Sequence, residues 1–442
     1  MADEERFARV FHEVDRLVPT MIDTLSELVQ IESINPKYPG QVYDDLVGRE
    51  GEVNARVAEL YEEAGADVTR FAIEPGRDNA VGVIGGHGRG RSLAFNSHID
   101  VVPGGDPVCW TSGSPFSGRI SEDRVWGRGS TDMKAGAVAE AFAAIALRAA
   151  DVRLGGDLIL QSVVGEEMGD HECGTSAVVE RGYVADAAVV CEPTSLGAGP
   201  TVGPVAPGLL WFSVTVTGKR AHNGVRGLTI HPTLDGSSLG VNAIDKGFYI
   251  YQGIRQLEEE WAEKKRHPLF APGSFGILPG VIQGNPTGVL VPFALADSMT
   301  IEYSTCHYPG DDSEAAKAEI EEHIRRISEL DPWLREHPPV VTWKLEWPPT
   351  EIGPEEDICV SLQDAHKMAA LSTSFEGPAQ MQGLLGVCDT TWLVAQGIPS
   401  LVYGPGTIKT AHAADEYVLI DECVLACRTY ALLAMDWCGV AE

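Results

Sequence analysis

Two histidines and four carboxylates stand at or beyond the ends of separate predicted elements, where residues far apart in sequence can meet. Neutral imidazoles and carboxylates are the ligands that zinc and similar divalent ions take in hydrolases. One such residue at a strand end means little, but six in the same kind of position predict a hydrolytic centre with two metal ions. The six are His98, Asp132, Glu166, Glu167, Glu192 and His412.

The neighbours of these residues fit the same chemistry. Divalent ions lower the pKa of a bound water from about 15.7 toward about 7, which generates hydroxide at neutral pH. A carboxylate nearby can take the proton and pass it to the leaving group. The adjacent Glu166 and Glu167 suit this division, one for the metal and one for the proton. Asp100, two residues after His98, is placed to hold the other ring nitrogen of that histidine.

Helices and short apolar strands alternate along the first part of the chain. This alternation predicts an α/β fold with a mostly parallel sheet covered by helices on both faces. In such open sheets, ligands bind beyond the carboxyl ends of the strands. The predicted helices cover 4–32, 51–64 and 131–150, and the strands cover 79–85, 91–99, 157–164 and 185–191.

The pattern changes near residue 205 and returns after residue 350. The middle segment reads as strands at 208–218, 274–283, 291–306 and 339–347, with helices at 239–265 and 311–330. That order, β-α-β-β-α-β, is typical of a compact α+β unit with its own sheet. We therefore expect a catalytic metal-binding domain made of residues 1–204 and 351–442, interrupted by an inserted domain at 205–350.

Composition excludes several classes of protein. The 442 residues include 64 acidic and 33 basic side chains, for a net charge of −31, which disfavours binding to nucleic acid or anionic membranes. No run approaches the ~18 apolar residues of a membrane span. Nine cysteines without a CxxC pair, and no apolar leader segment, favour reduced thiols. We expect a cytoplasmic protein that acts on a small molecule.

Five motifs give the chain a family resemblance. SHIDVVP, GRGSTDMK, GEE, CEPT and AHAADEY resemble those of the M20 metallopeptidase/amidohydrolase family, in the branch of acetylornithine deacetylase, succinyl-diaminopimelate desuccinylase and aminoacylase-like enzymes. The resemblance covers nearly the whole chain. It implies two divalent ions per subunit, zinc with cobalt or manganese as alternatives, because sites rich in carboxylate and histidine accept several such ions.

The resemblance also implies a role for each site residue. Asp132 is implied as the carboxylate that bridges the two ions, Glu166 as the general base, and Asp100 as the residue behind His98. The implied ligands that complete the two sites are His98 and Glu192 for one ion, and Glu167 and His412 for the other.

The inserted domain is implied to be the family's lid and dimerisation domain, so the resemblance predicts a homodimer. His222, in the stretch KRAHNGVRG, matches a histidine that stabilises the developing oxyanion in the family, often from the partner subunit. A hydrogen-bonding or positively charged imidazole fits that electrostatic role.

Two positions depart from the family pattern. Cys306 stands where the family usually has a lid arginine before Pro309, and Thr391 stands where the common GTSDARF segment has its arginine. Such arginines often bind a substrate carboxylate through two parallel hydrogen bonds. Their loss predicts a substrate whose acid group is absent, moved or held by another residue, for which Arg226 is a candidate.

The predicted function is hydrolysis of a C–N bond of amide type in a small N-acylated or related compound, by metal-bound hydroxide with a glutamate general base. An alternative is removal of an amine or carbamoyl group from an atypical substrate, such as an aryl amine, urea or carbamate in a catabolic pathway. A non-catalytic binding relative and an aminopeptidase for longer peptides are further alternatives.

Overall fold

The computed structural model of the protein describes residues 2–231, 236–371 and 373–441. The helices are α1 (Ala2–Gln30), α2 (Tyr43–Leu46), α3 (Arg49–Glu63), α4 (Ala135–Ala149), α5 (Thr175–Glu180), α6 (Arg226–Thr229), α7 (Ala243–Lys264), α8 (Ser313–Ser328), α9 (Pro332–Glu336), α10 (Asp357–Ala369), α11 (Thr390–Ala395) and α12 (Ile420–Trp437). The strands are β1 (Asp67–Ala72), β2 (Asp78–Ile84), β3 (Leu93–His98), β4 (Arg119–Ser121), β5 (Arg124–Trp126), β6 (Leu158–Val163), β7 (Ala187–Val190), β8 (Val205–Ala206), β9 (Leu209–Thr217), β10 (Gly276–Asn285), β11 (Ser298–Cys306), β12 (Val340–Trp347), β13 (Thr350–Glu351), β14 (Ser400–Val402) and β15 (Tyr417–Leu419).

The chain divides into two units. The first comprises Met1–Ala206, Glu351–Leu384 and Cys388–Glu442, and the second comprises Pro207–Thr350 and Leu385–Val387. Each unit has its own cluster of buried apolar side chains.

The first unit is built on a six-stranded sheet in the order β1-β2-β6-β3-β7-β14. Strands β6, β3, β7 and β14 run parallel to one another, and β1 and β2 add antiparallel strands at one side. Every residue of β3, β6 and β7 is buried, so these strands lack the alternation of apolar and polar residues that a half-exposed strand shows. The predicted α/β class with a mostly parallel sheet is confirmed.

Helix α4 forms the centre of the helical layer of the first unit. Its sequence, AGAVAEAFAAIALRA, is apolar on nearly all sides and its first thirteen residues are buried, as expected for a helix packed on every face. It packs against α1, α3 and α12. The small alanine side chains let these helices approach closely.

The predicted start of this helix at Thr131 is wrong. The helix begins at Ala135, and Ser130–Lys134 form an irregular turn in which Asp132 is extended, with φ −123° and ψ 94°. The peptide bond between Asp132 and Met133 is cis. The backbone N–H groups of Gly129, Thr131 and Asp132 donate to the carboxylate of Glu416, so this segment is held by a side chain instead of by helical hydrogen bonds.

The second unit contains an antiparallel sheet in the order β10-β11-β9-β12. Helix α7 packs on β9, β10 and β11, and α8 contacts α7 and β12. The core of the second unit includes Phe212, Trp261 and Tyr303. Strand β10 lies at the edge and exposes Leu278, Val281 and Ile282.

None of the helices in the described residues combines the length and apolar character that crossing a bilayer requires.

Candidate metal centre

The carboxyl ends of neighbouring parallel strands carry the predicted ligands to one edge of the sheet. His98 is the last residue of β3, Glu166 and Glu167 lie in the turn after β6, and Glu192 follows β7. Because β6, β3 and β7 are adjacent and parallel, their ends meet at the same edge. The structure brings all six predicted residues together there, including Asp132 from the turn before α4 and His412 from the loop after β14.

One group of side chains surrounds His98. Its Nε2 atom lies 3.2 Å from Oδ1 of Asp132, 3.2 Å from Oε1 of Glu192 and 3.6 Å from Oε2 of Glu166. The imidazole is buried, and Nε2 has no hydrogen-bond partner among the described residues.

A second group surrounds His412. Its Nε2 atom lies 3.3 Å from Oδ2 of Asp132 and 3.1 Å from Oε2 of Glu167. The two carboxylate oxygens of Asp132 therefore face different imidazoles. This is the arrangement that a carboxylate bridging two ions requires.

The spacing of these atoms fits divalent metal ions. Metal–ligand bonds of about 2.0–2.1 Å in a tetrahedron place neighbouring ligand atoms about 3.3 Å apart, which agrees with the 3.1–3.3 Å separations. Two triplets, His98 with Asp132 and Glu167, and His98 with Glu166 and Glu192, have ligand atoms within 4.8 Å of one another. A buried nitrogen without a partner and a set of nitrogen and oxygen donors are the chemistry of a zinc-type ion.

The electrostatics of the cluster point the same way. Burial raises the pKa of Glu166 well above its usual range, and the carboxylates of Glu192 and Glu167 raise it further. Burial and the charge of Asp132 raise the pKa of Glu192 to about 8. Burial lowers the pKa of His412, but Glu167 and Asp132 outweigh this and raise it to about 12. The excess of negative charge is what bound cations would neutralise.

Asp100 contacts the other ring nitrogen of His98 through its main chain. The Nδ1 atom of His98 is 2.9 Å from the backbone carbonyl oxygen of Asp100 and 3.6 Å from its carboxylate. That carboxylate instead accepts from the backbone N–H groups of Gly165 at 2.9 Å, Glu166 at 3.3 Å and Glu167 at 3.1 Å. These three N–H groups and the side-chain amide of Asn35, at 2.8 Å, occupy the carboxylate, so Asp100 orients His98 through its main chain.

A buried ion pair that sequence reasoning missed holds the backbone around Asp132. Glu416 is fully buried, pairs with Arg128, and accepts from the backbone of the segment that carries Asp132. A signal was available, since Glu416 lies four residues after His412 in one motif and Arg128 four residues before Asp132 in another. The charges were not singled out because single acidic and basic residues usually face solvent.

Asp389 is a further buried carboxylate that was not predicted. It stands in the GVCDTTWL segment, accepts from Oγ1 of Thr175 at 2.7 Å, and its Oδ1 atom has no hydrogen-bond partner in the described part of the chain. Burial raises its pKa to about 6. Thr391, two residues on, is buried in α11.

The other predicted contacts belong to the second unit. His222 precedes a short turn, and its Nδ1 accepts from the N–H of Gly224 at 3.0 Å. Arg226 pairs with Asp245, and Cys306 ends β11 beside a cavity of about 300 Å³. The catalytic role of His222 and the substrate contacts of Arg226, Cys306 and Thr391 remain predictions.

Comparison with known proteins agrees with this arrangement. The family model described as "Peptidase family M20/M25/M40" matches residues 94–436. An N-formyl-4-amino-5-aminomethyl-2-methylpyrimidine deformylase from Halalkalibacterium halodurans is 35% identical over 392 residues, covering 86% of this chain and 88% of the relative. The deformylase of the same name from Bacillus subtilis is 31% identical over 398 residues, covering 88% of this chain and 89% of the relative.

Solved structures share the fold. The di-peptidase Dug1p of Saccharomyces cerevisiae superposes with a TM-score of 0.74 at 15% identity, covering 99% of both chains. A dinuclear metal-binding peptidase of the M20 family from Bacillus subtilis has a TM-score of 0.60 at 14% identity, covering 97% of this chain and all of that one. With the family model matching most of its length, the chain belongs to the peptidase family M20/M25/M40 and is a metal-dependent hydrolase of amide bonds.

Proposed function

We propose that the enzyme removes the formyl group from an N-formylated aminomethylpyrimidine or a closely similar formamide of a heteroaromatic amine. The observation that carries the proposal is the similarity to two deformylases of that name, at 35% and 31% identity, over 86% and 88% of this chain. Both relatives are matched over nearly their whole length, so the similarity is not confined to the metal-binding motifs.

The departures from the family pattern support this substrate class. The substrate named by the relatives is a neutral formamide on a pyrimidine and carries no carboxylate. In this chain the two positions where the family usually places carboxylate-binding arginines hold Cys306 and Thr391. Glu258 is the sole charged residue among those that line the cavity beside Cys306, so that cavity suits a neutral ligand better than an anionic one.

The metal content is part of the proposal. We assign zinc to both positions, with cobalt and manganese as alternatives, because the donors are imidazole nitrogens and carboxylate oxygens. One ion would be held by His98, Glu192 and Asp132, and the other by Asp132, Glu167 and His412. Such ions, when bound, would polarise the formyl oxygen. They would also lower the pKa of a bound water, so that hydroxide is available at neutral pH.

The protein's own residues then perform the proton transfers. Glu166 is the general base in this proposal, because it is buried, faces the cluster, and stands farther from His98 than Asp132 and Glu192 do. Its carboxylate accepts a proton from the attacking water and donates it to the leaving amine nitrogen. Asp100 fixes the backbone of Glu166 and so sets where that carboxylate points.

The second unit supplies two further parts of the proposal. His222 donates a hydrogen bond to the developing oxyanion. This role fits the geometry of its ring, because Nδ1 accepts from the N–H of Gly224 and Nε2 is left as the donor. The protein is a homodimer formed through this unit, since the edge strand β10 offers unpaired backbone groups and exposed apolar side chains.

The nine free cysteines fit a reducing cytoplasm.

The test is a substrate panel with metal-reconstituted protein. It compares the N-formyl aminomethylpyrimidine with N-formyl, N-acetyl and N-succinyl amino acids, dipeptides, and aryl ureas and carbamates. We expect the formylated pyrimidine to exceed every carboxylate-bearing amide by at least about a hundredfold in kcat/KM, as for a site that lacks the matching charge. Preference for an N-acyl amino acid would overturn the proposed substrate, and preference for a urea or carbamate would favour the alternative chemistry.

A further inference from the structure

A short loop carries both glutamates of the GEE motif. In the 165–170 loop the N–H of Asp170 donates to the carbonyl of Gly165 at 2.8 Å, and the N–H of Gly169 donates to the carbonyl of Glu166 at 2.8 Å. Gly165 and Gly169 have φ values of 91° and 68°, which favour glycine. The loop is therefore closed on itself, and its orientation depends on what holds it from outside.

Asp100 holds the loop from one side, and Asp170 is the anchor on the other. Oδ2 of Asp170 lies 3.0 Å from Nη1 of Arg77, and Oδ1 lies 3.3 Å from Nζ of Lys37. Lys37 is one-third exposed and Arg77 is fully buried. A buried partner is held in one position by its surroundings, so Arg77 is the rigid half of this anchor.

Arg77 is itself fixed by a buried carboxylate. Its Nε and Nη2 atoms donate to the two oxygens of Glu50 at 2.6 and 2.8 Å, and both side chains are fully buried. Its remaining Nη1 is the atom that reaches Asp170 and, at 3.3 Å, Glu74. Burying an arginine–carboxylate pair is weak evidence for a gain in stability, because desolvation opposes it. A planar guanidinium with defined donors is, however, well suited to fixing geometry.

We propose that Arg77 is a positioning residue: acting through Asp170, it holds the 165–170 loop in the conformation that presents Glu167 to the metal and Glu166 to the reacting water. The inference rests on the proposed roles of those two glutamates, but it does not depend on which amide is cleaved. None of the contacts of Arg77 given above is with the side chain of Glu166 or Glu167. Its effect passes through the loop backbone, as that of Asp100 does.

Asp170→Asn is the sharpest test, because it keeps the shape of the side chain and removes the charged hydrogen bond to Arg77. We expect the affinity for the ion at His412 and Glu167 to fall about 10–100-fold, the range for residues that orient metal ligands. The ion at His98 and Glu192 should be affected less. Titration calorimetry of the metal-free protein with zinc measures both, and steady-state kinetics should show kcat falling with KM within about threefold.

Further variants separate the possible outcomes. Arg77→Lys should share the defect, since an ammonium cannot bind Glu50 with two donors and reach Asp170 as well. Arg70→Met is the matched control, an exposed arginine on β1 that contacts Gly51 and Asp78, and it should change neither quantity. Glu167→Gln is the reference for the role of the ligand itself.

If Glu167→Gln weakens zinc binding and Asp170→Asn leaves both zinc affinities and kcat within twofold of the parent, the inference is overturned. If Glu167→Gln leaves zinc binding unchanged, the proposed ligand set fails instead. If Asp170→Asn lost both ions together with the circular dichroism of the folded protein, that result would also count against a positioning role, because it would show that Asp170 is needed for the fold as a whole.

Discussion

Replacing Glu166 by glutamine separates proton transfer from metal binding. The side chain keeps its size and one acceptor oxygen but loses the ability to take up a proton. The nearest partners of His98 Nε2 are Asp132 and Glu192, both at 3.2 Å, whereas Glu166 lies at 3.6 Å. We therefore expect Glu166→Gln to retain both metal ions.

The expected loss of turnover follows from the role of a general base. Such a group contributes about 10²–10⁴-fold in rate, which corresponds to about 3–5 kcal/mol in the activation free energy. The variant should also raise the melting temperature of the metal-free protein. Burial and the carboxylates of Glu192 and Glu167 raise the pKa of Glu166, so folding of the metal-free protein above the ordinary pKa of a glutamate must either bury a charge there or take up a proton, and glutamine avoids both costs.

Three measurements on the same sample test this reasoning: metal content by elemental analysis, kcat on the best substrate of the panel, and thermal unfolding after chelation. Glu192→Gln is the control, because it replaces a proposed ligand of similar burial and should lose metal. The reasoning is refuted if Glu166→Gln keeps more than about a tenth of the parent kcat, or if it loses metal to the same degree as Glu192→Gln.

Four other outcomes are expected. Glu416→Gln should lower the free energy of unfolding by about 3–5 kcal/mol, because it leaves the buried Arg128 without its charge partner; urea denaturation measures this, with the exposed Glu260→Gln as control. Burial lowers the pKa of His366 to about 4 in the folded protein, below its ordinary value of about 6.5. The stability that this histidine contributes is therefore present above about pH 6.5 and is lost as the pH falls toward 4. Between pH 7 and 5 the parent should lose about 2 kcal/mol more than a His366→Phe variant does. Chelation should abolish turnover and lower the melting temperature, with both restored by zinc, cobalt or manganese, since four carboxylates otherwise face two imidazoles. Cys306→Arg should raise kcat/KM for N-formyl amino acids relative to the formylated pyrimidine, and an unchanged ratio would argue against the role assigned to that position.

The sequence predicted which of these residues the fold brings together, because most of their positions follow from strand ends. His98 and Glu192 come at the ends of apolar runs, and parallel strands deliver such residues to one edge whatever their separation in sequence. The local structure around Asp132 was predicted wrongly, although the residue itself lies with the others. Its Ser-Thr-Asp context favours a helix start, but three backbone N–H groups are taken by the distant Glu416, and no local pattern reports that contact.

The residues that hold the backbone around the site were harder to predict. The bond between Asp100 and the 165–170 loop, and the pair formed by Arg77 and Glu50, join segments that lie far apart along the chain. Arg77, Glu50 and Asp170 look like ordinary surface charges in the sequence, because nothing local shows that Arg77 and Glu50 are buried. Long-range burial is a property of the assembled sheet and helices, so these contacts became visible only with the fold.

The path of the chain between the two units has a consequence for folding. Within the first unit, the N–H of Ile352 donates to the carbonyl of Pro204 at 2.9 Å, and within the second, Leu209 pairs with Trp347 across β9 and β12. Each unit thus brings together by itself the two ends of the 207–350 insertion. Closing a disordered segment as long as the insertion costs on the order of 4 kcal/mol in chain entropy. Once either unit has folded, the other no longer bears that cost, so the two cores can be thermodynamically coupled through chain connectivity alone.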